Sequence, residues 1–356
     1  MKNRKFLIAM LVVIILGYVS IVKGVTLKLE KKIQIKEDKK AMILSFAQFT
    51  IGKNDEIILP DVKTSDIKIF NSKGHYLYSI GRKGYGPGEF ISPYACFGNK
   101  TSLWISDFRS LKITQLNLVN NKFKYFKEIK LLSFCTDLKV INDTIYIAGY
   151  INATTSDYSF YSKSLKNTRS TKYLIPRSLK YGKNLYNKDH YSMYNLFGSF
   201  DIYKNYVFFV WPADLRIIRL DLTNKSTMIF GKRTNNYIKP FVSEKLIKAY
   251  KKRNAKLIDQ TKKSVSFIAG VFASHKYLGL IYRGIYCEST NNYPVYVQFY
   301  THDGKFIKES VLDKAFALTN IAKQFYFSLQ KSKLYYLNII ENEDDYDYEI
   351  LVYKLK

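Results

Sequence analysis

Sulfur, imidazole and acid are all scarce in this chain. Its 356 residues hold 3 cysteines, 4 histidines and 29 acidic residues, against 57 lysines and arginines. Three cysteines are too few for a disulfide framework. Cys96 and Cys135 fall early in two neighbouring inner strands, and they either pair after export or serve as small buried apolar residues. His75, His190, His275 and His302 show no metal-ligand spacing, and there is no HExxH and no clustered Cys/His set. A Gly-x-Ser-x-Gly nucleophile turn is missing, as is a Gly-Lys-Ser/Thr phosphate loop. No catalytic residue, metal ligand or cofactor is therefore nominated.

Long apolar runs are also lacking, with one exception. Lys2, Arg4 and Lys5 precede an apolar stretch from Phe6 to Val22. A basic start followed by such a run is a secretory signal, cut after Gly24, or an uncleaved inner-membrane anchor. Both place the rest of the chain outside the cytoplasm, periplasmic or anchored and facing the periplasm. Nucleic acid is disfavoured as a partner for the same reason. Residues 1–24 are thus set apart from 25–356. The basic excess is greatest over residues 160–260, with 21 basic and 6 acidic side chains. Such a surface suits anionic glycans, lipid headgroups or acidic proteins, although most of it reads as solvated charge.

What the chain has is aromatic side chains and a repeat. Phe, Trp and Tyr make up 16% of residues, a bias that favours pleated, half-buried surfaces. Residues 56–61 running into 66–71 match residues 102–107 running into 112–117, 46 positions later. Each copy is a strand ending in Asp, a short polar loop and a second strand. A period of this length marks a β-propeller, one blade per period. The pattern repeats into an all-β, six-bladed propeller. Its blades begin near residues 45, 93, 134, 200, 265 and 325, each with strands a to d from the axis outward. The sixth blade lacks a d strand, and residues 26–35 alternate as a strand with no blade of their own. They are expected to close the ring as that missing strand. Residues 166–198 read as a long irregular connection. Residues 241–260 read as one helical insertion between blades four and five, with basic residues on its open faces.

The densest motif is Gly81-Arg82-Lys83-Gly84-Tyr85-Gly86-Pro87-Gly88-Glu89-Phe90, between strand d of blade one and strand a of blade two. Its glycines permit the tight reversals of a blade crossover. With the turn glycine before it, and Pro93 and the Asp107-ended strand after it, the segment 74–107 resembles NHL-type repeats. Residues 80–90 more closely resemble the signature of the exported six-bladed β-propeller family of Bacteroidetes (NHL-like or TolB-like). The resemblance implies a six-bladed fold and an envelope location, and it implies no settled activity. Members of that family are often lipoproteins, but this chain has no cysteine before Cys96 to carry a lipid.

Propeller sites form where d–a and b–c loops gather. That geometry nominates Arg82, Lys83 and Tyr85 from the glycine-rich loop, and Asp107, Arg109, Trp211, Asp214 and Arg283 from b–c loops, as candidate ligand-binding residues. Asp61, Lys63 and Glu288 lie in comparable places. Arg, Trp and Tyr with acids suit a polar or anionic ligand. For Asp61 and Asp107, capping of loop amides is the favoured alternative. Residues 341–349 hold six acids, which read as a solvated loop before a calcium site. The expectation is a monomeric, non-enzymatic envelope propeller that binds a protein or glycan partner through its loop face. Two alternatives stand beside it. One is a hydrolase or lyase with a metal-assisted site in the axial channel. The other is a binder of anionic lipid or polyanion through the basic insertion.

Overall fold

The structure, a computed structural model, describes residues 24–37, 41–131, 133–150, 158–167, 171–174, 198–211, 214–240, 243–317, 324–341 and 346–356. The apolar segment from Phe6 to Val22 lies outside these residues, and the expected cut after Gly24 falls at their first bond, next to the buried Val25. Among the described residues no helix is long and apolar enough to cross a membrane.

Six four-stranded antiparallel sheets form the ring. Strand β1 (Leu27–Gln34) comes first in the chain but belongs to the last sheet. Blade one is β2 (Thr50–Ile51), β3 (Ile57–Asp61), β4 (Asp66–Phe70) and β5 (Tyr76–Ile80). Blade two is β6 (Pro93–Gly98), β7 (Ser102–Asp107), β8 (Lys112–Val119) and β9 (Lys122–Lys130). Blade three is β10 (Phe134–Ile141), β11 (Thr144–Tyr150), β12 (Tyr158–Ser164) and β13 (Thr171–Tyr173). Blade four is β14 (Ser199–Tyr203), β15 (Tyr206–Trp211), β16 (Asp214–Asp221) and β17 (Thr227–Phe230). Blade five is β18 (Phe267–Ala273), β19 (Leu278–Arg283), β20 (Tyr293–Tyr300) and β21 (Phe306–Ala317). Blade six is β22 (Phe325–Ser328), β23 (Lys333–Glu341) and β24 (Tyr346–Leu355), completed by β1.

Burial decides which strands the sequence announces. The second strands β3, β7 and β19 are buried at every position, because blades cover both of their faces. They therefore read as short apolar runs. The outer strands β5, β9 and β17 are mostly exposed or half-buried, and apolar side chains such as Leu77, Phe126 and Ile229 stand in solvent on them, so the apolar pattern is weaker there. Each blade packs only against its neighbours, and the apolar clusters lie between adjacent sheets.

The ring closes as the sequence anticipates. β1 pairs antiparallel with β24 from Leu27 opposite Leu355 to Gln34 opposite Glu349. Thr26 and Lys356 exchange backbone hydrogen bonds at 3.2 and 2.9 Å. Ile33 and Ile35 enter the core between blades six and one, with Ile57, Leu59, Leu337 and Ile350. The turn Asn71–Gly74 of blade one abuts the end of this closing strand. A side chain at Gly74, where φ is +82°, would meet the Gln34 carbonyl at 2.0 Å. Only glycine fits there.

Two expectations need correction. Blade three has a fourth strand, β13, inside the stretch read as irregular; it pairs Thr171–Tyr173 with the Tyr161–Lys163 segment of β12. The remainder, 175–197, is outside the described residues. The helical insertion between blades four and five is two helices, α1 (Glu244–Lys251) and α2 (Ala255–Lys263). The break falls where Arg253 takes φ +53° and the Asn254 side chain accepts the Leu257 amide at 3.1 Å to start the second helix.

Candidate functional site

In a four-stranded blade the b–c and d–a connections emerge together, so one face of the ring carries all the nominated loops. The acids on this face are mostly committed to holding it together. Asp107 ends β7 and is 1% exposed. Its carboxylate accepts the amides of Ile91 (2.6 Å), Ser92 (3.2 Å), Arg109 (3.0 Å) and Ser110 (2.9 Å). It thus ties the strand entering blade two to its own b–c loop. Asp61 does the same in blade one, accepting from Leu44, Ser45, Lys63 and Thr64 at 2.7–3.2 Å. The buried Lys68 ammonium also contacts Asp61, at 3.3 Å. The internal repeat seen in the sequence is the repeat of this clamp.

In blade five the corresponding position, opposite the first residue of the a strand, is Arg283. It is 3% exposed, and its guanidinium lies 4.5 Å from the Phe267 ring and 3.9 Å from the Tyr293 ring. Nη2 donates to the Lys262 carbonyl at 2.9 Å, so polarity is inverted: a cation holds a carbonyl where the aspartates hold amides. Among the described residues Nε and Nη1 have no hydrogen-bond partner. Burial lowers its pKa to about 10. Asp107 and Arg283, both nominated from sequence as ligand contacts, therefore face inward.

The other candidates sit at the surface. The glycine-rich loop is a rigid platform. Phe90 donates to the Arg82 carbonyl at 2.9 Å, Gly84 to the Phe90 carbonyl at 3.0 Å, and Arg82 pairs with Glu89 at 2.8 Å. A side chain at Gly81 (φ +84°) would strike the buried Phe90 ring at 2.5 Å. The Arg82 pair and the Gly86 amide hold the Glu89 carboxyl below its ordinary pKa, the amide contributing most. From this platform Arg82, Lys83 and Tyr85 face solvent, Tyr85 at 76% exposure. Lys63 and Arg109 are exposed on the two clamped b–c loops. Asp214 is half-buried and paired with Arg216 at 2.5 Å, with Lys239 at 4.0 Å. Trp211 ends β15 opposite Asp214, and its side chain lies outside the described residues. Glu288 is exposed on a short helical turn after Cys287. Sequence reading missed Arg216 and Lys239, which neutralise Asp214 from neighbouring segments.

The axial channel is nearly filled. Its cavity, about 30 Å³, holds roughly one water and no substrate-sized molecule. The acids that line it are Asp137 and Asp201, on inner strands. Asp137 accepts from Ser199 Oγ (3.0 Å) and the Phe200 amide (3.2 Å). Asp201 pairs with Lys139 and accepts from the Ala273 amide at 2.9 Å. Both join neighbouring blades. Among the described residues no three of His, Cys, Asp and Glu gather as a metal site. Cys96 and Cys135 are buried and are not joined by a disulfide. In the acidic stretch 341–349, residues 342–345 are outside the described residues, and Glu349, within β24, pairs with Lys32 at 3.1 Å.

A family model described as a 6-bladed beta-propeller matches residues 45–286, more than half of the chain. The chain belongs to this family. Among solved structures it is similar to a Bacteroides vulgatus protein of the DUF4221 family, with 13% identity over 94% of this chain and 99% of that one, at TM-score 0.62. It is also similar to a Bacteroides fragilis protein described as exported, with 15% identity over 93% and 95%, at TM-score 0.54. At these identities the likeness is one of fold. No curated protein matches the sequence.

Proposed function

We propose that this propeller is a non-enzymatic binding module of the cell envelope. It takes a protein or glycan partner on the face formed by its b–c and d–a loops. One observation carries the reading. The aspartates of blades one and two are consumed as internal clamps, and what those blades present outward is Lys63, Arg82, Lys83, Arg109 and Tyr85. Exposed cations and an aromatic ring on a rigid platform suit capture of an anionic or polar surface. Export rests on the apolar N-terminal run and on the likeness to a protein described as exported. The reading gives periplasmic residence, free or held by that run. The metal-assisted alternative is disfavoured because the acids nearest the axis already bridge blades.

The test is binding of the full chain to arrays of acidic and neutral glycans and to immobilised envelope proteins. The Arg82→Ala/Lys83→Ala/Arg109→Ala variant is expected to lose on the order of tenfold in affinity, with no change in unfolding midpoint, because these side chains are exposed. Unchanged affinity would refute the assigned face. Turnover of a lactone, ester or glycan panel that Asp107→Asn abolishes would refute the non-enzymatic reading.

A further inference from the structure

The insertion between blades four and five is a built element. Ser243 Oγ accepts the Leu246 amide at 3.1 Å to start α1, and Asn254 starts α2. Leu246 and Ala249 are buried, and Leu246 joins the core cluster with Phe160, Phe200, Val265 and Phe267, against which Ile258 packs. The apolar side of the hairpin is therefore spent on the propeller. It is not available to enter a bilayer, which is how an amphipathic helix holds a membrane.

The outward side is cationic and unpaired. Lys245, Lys248 and Lys252 are exposed, and they line a shallow, open groove with Ser243, Glu244, Ala249, Asn254 and Leu257. At these spacings they form one stripe along α1, roughly 10 Å from first to last at 1.5 Å rise per residue. None of the three makes an ion pair within the described residues. Residues 243–264 carry 8 basic side chains and 2 acids, Glu244 and Asp259. Glu244 borders the groove, and Asp259 is taken by Lys263 at 3.3 Å.

A further cation lies at the far end of α2. The buried Arg283 guanidinium touches the Lys262 carbonyl at the end of α2, and among the described residues it has two donors without partners and no carboxylate in ion-pair contact. Lys262 is half-buried, and burial, with the Arg283 charge adding to it, lowers its pKa. Arg283 thus adds a positive charge at the C-terminal end of the hairpin. A row of cations about 10 Å long suits the regularly spaced charges of a linear chain.

We infer that the groove of α1 and α2 is a docking site for a linear acidic polysaccharide whose carboxylates or sulfates pair with Lys245, Lys248 and Lys252. This rests on the binding-module reading and names a partner class and a place for it. The probe is fluorescent polygalacturonate titrated against the full chain, with dextran and phosphatidylglycerol vesicles beside it. Wild type is expected to bind polygalacturonate and not dextran, and to release it steeply between about 0.05 and about 0.5 M salt. Lys245→Gln/Lys248→Gln/Lys252→Gln, which keeps helix propensity, should bind on the order of tenfold more weakly with an unchanged unfolding midpoint. A control variant on the opposite, turn-bearing face, Lys73→Gln/Lys100→Gln, should bind polygalacturonate as wild type does, because both side chains are exposed and lie outside the groove. Equal binding by wild type and the lysine variant, or no binding at low salt, overturns the inference. So does vesicle binding that depends on the three lysines without polygalacturonate binding. If polygalacturonate fails while a partner is still captured through Arg82, Lys83 and Arg109, the polysaccharide inference falls and the binding module stands.

Discussion

Replacing Asp107 by alanine separates a structural clamp from a ligand contact. The carboxylate is almost wholly buried and accepts four backbone amides, with Ser92 reaching both oxygens at 3.2 Å. A hydrogen bond to a charged group contributes about 1.5–3 kcal/mol net. Four would sum to far more than one substitution removes, and the Arg109 and Ser110 amides are near enough to solvent to find water. The Ile91 and Ser92 amides, at the strand entering blade two, are not so easily rescued. A loss of about 3–5 kcal/mol in unfolding free energy is expected, in the range for breaking a buried polar network. Asp107→Asn keeps one acceptor oxygen but turns an NH2 toward donors, so it should recover only part of the loss. Urea unfolding followed by tryptophan fluorescence reads this directly, since Trp104 is buried in the same strand. An alanine variant within about 1 kcal/mol of wild type, with the same denaturant slope, would show that the amides do not depend on the carboxylate. Loss of partner binding in such a stable variant would return Asp107 to the ligand surface.

Two further outcomes follow from the packing. Ile33→Ala with Ile35→Ala removes two buried side chains from the seam between blades six and one, and should cost about 2–5 kcal/mol for each site and expose the closing strand to proteolysis; an unchanged cleavage pattern and midpoint would argue against closure by β1. Glu309 is the acid-sensitive group of blade five. Burial raises its pKa, but hydrogen bonds from Thr234, Tyr282, Gln298 and Asn236 at 2.6–2.8 Å outweigh burial and leave it below the ordinary 4.5. The folded state therefore binds that proton less well than the unfolded one, so its stabilisation is full above the ordinary value and is lost as pH falls through the lowered one. Glu309→Gln should lower stability at neutral pH and flatten the acid limb of the stability curve; a limb of unchanged steepness would refute this.

The sequence was most readable where burial is two-sided. Second strands such as β7 show as apolar runs, and the Asp that ends them is followed by the polar loop it caps. The closing strand was readable because blade six was short by one strand. Outer strands carry less signal. β13 is three residues long, faces solvent on one side, and is fixed by pairing to β12 and by Lys163 donating to Thr171 at 3.0 Å. Nothing local in its sequence requires that. The break between α1 and α2 comes without Gly or Pro, so periodicity alone joined them. At the site, loop geometry says which loops share a face but not which way a side chain turns. The inward turn of Arg283 depends on rings from β18 and β20, which lie 16 and 10 positions away in the chain. Only tertiary packing brings them together.

The reciprocal bonds between Thr26 and Lys356 have a consequence for orientation. β1 begins at the rim beside the last residue of the sheet, at the end of the short c–d turns, and runs from there toward the long loops. Any leash preceding residue 25 thus leaves the disc on its turn side. A tethered copy would hang with its cationic loops and helical hairpin directed away from the point of attachment, like a dish aimed outward from its mast.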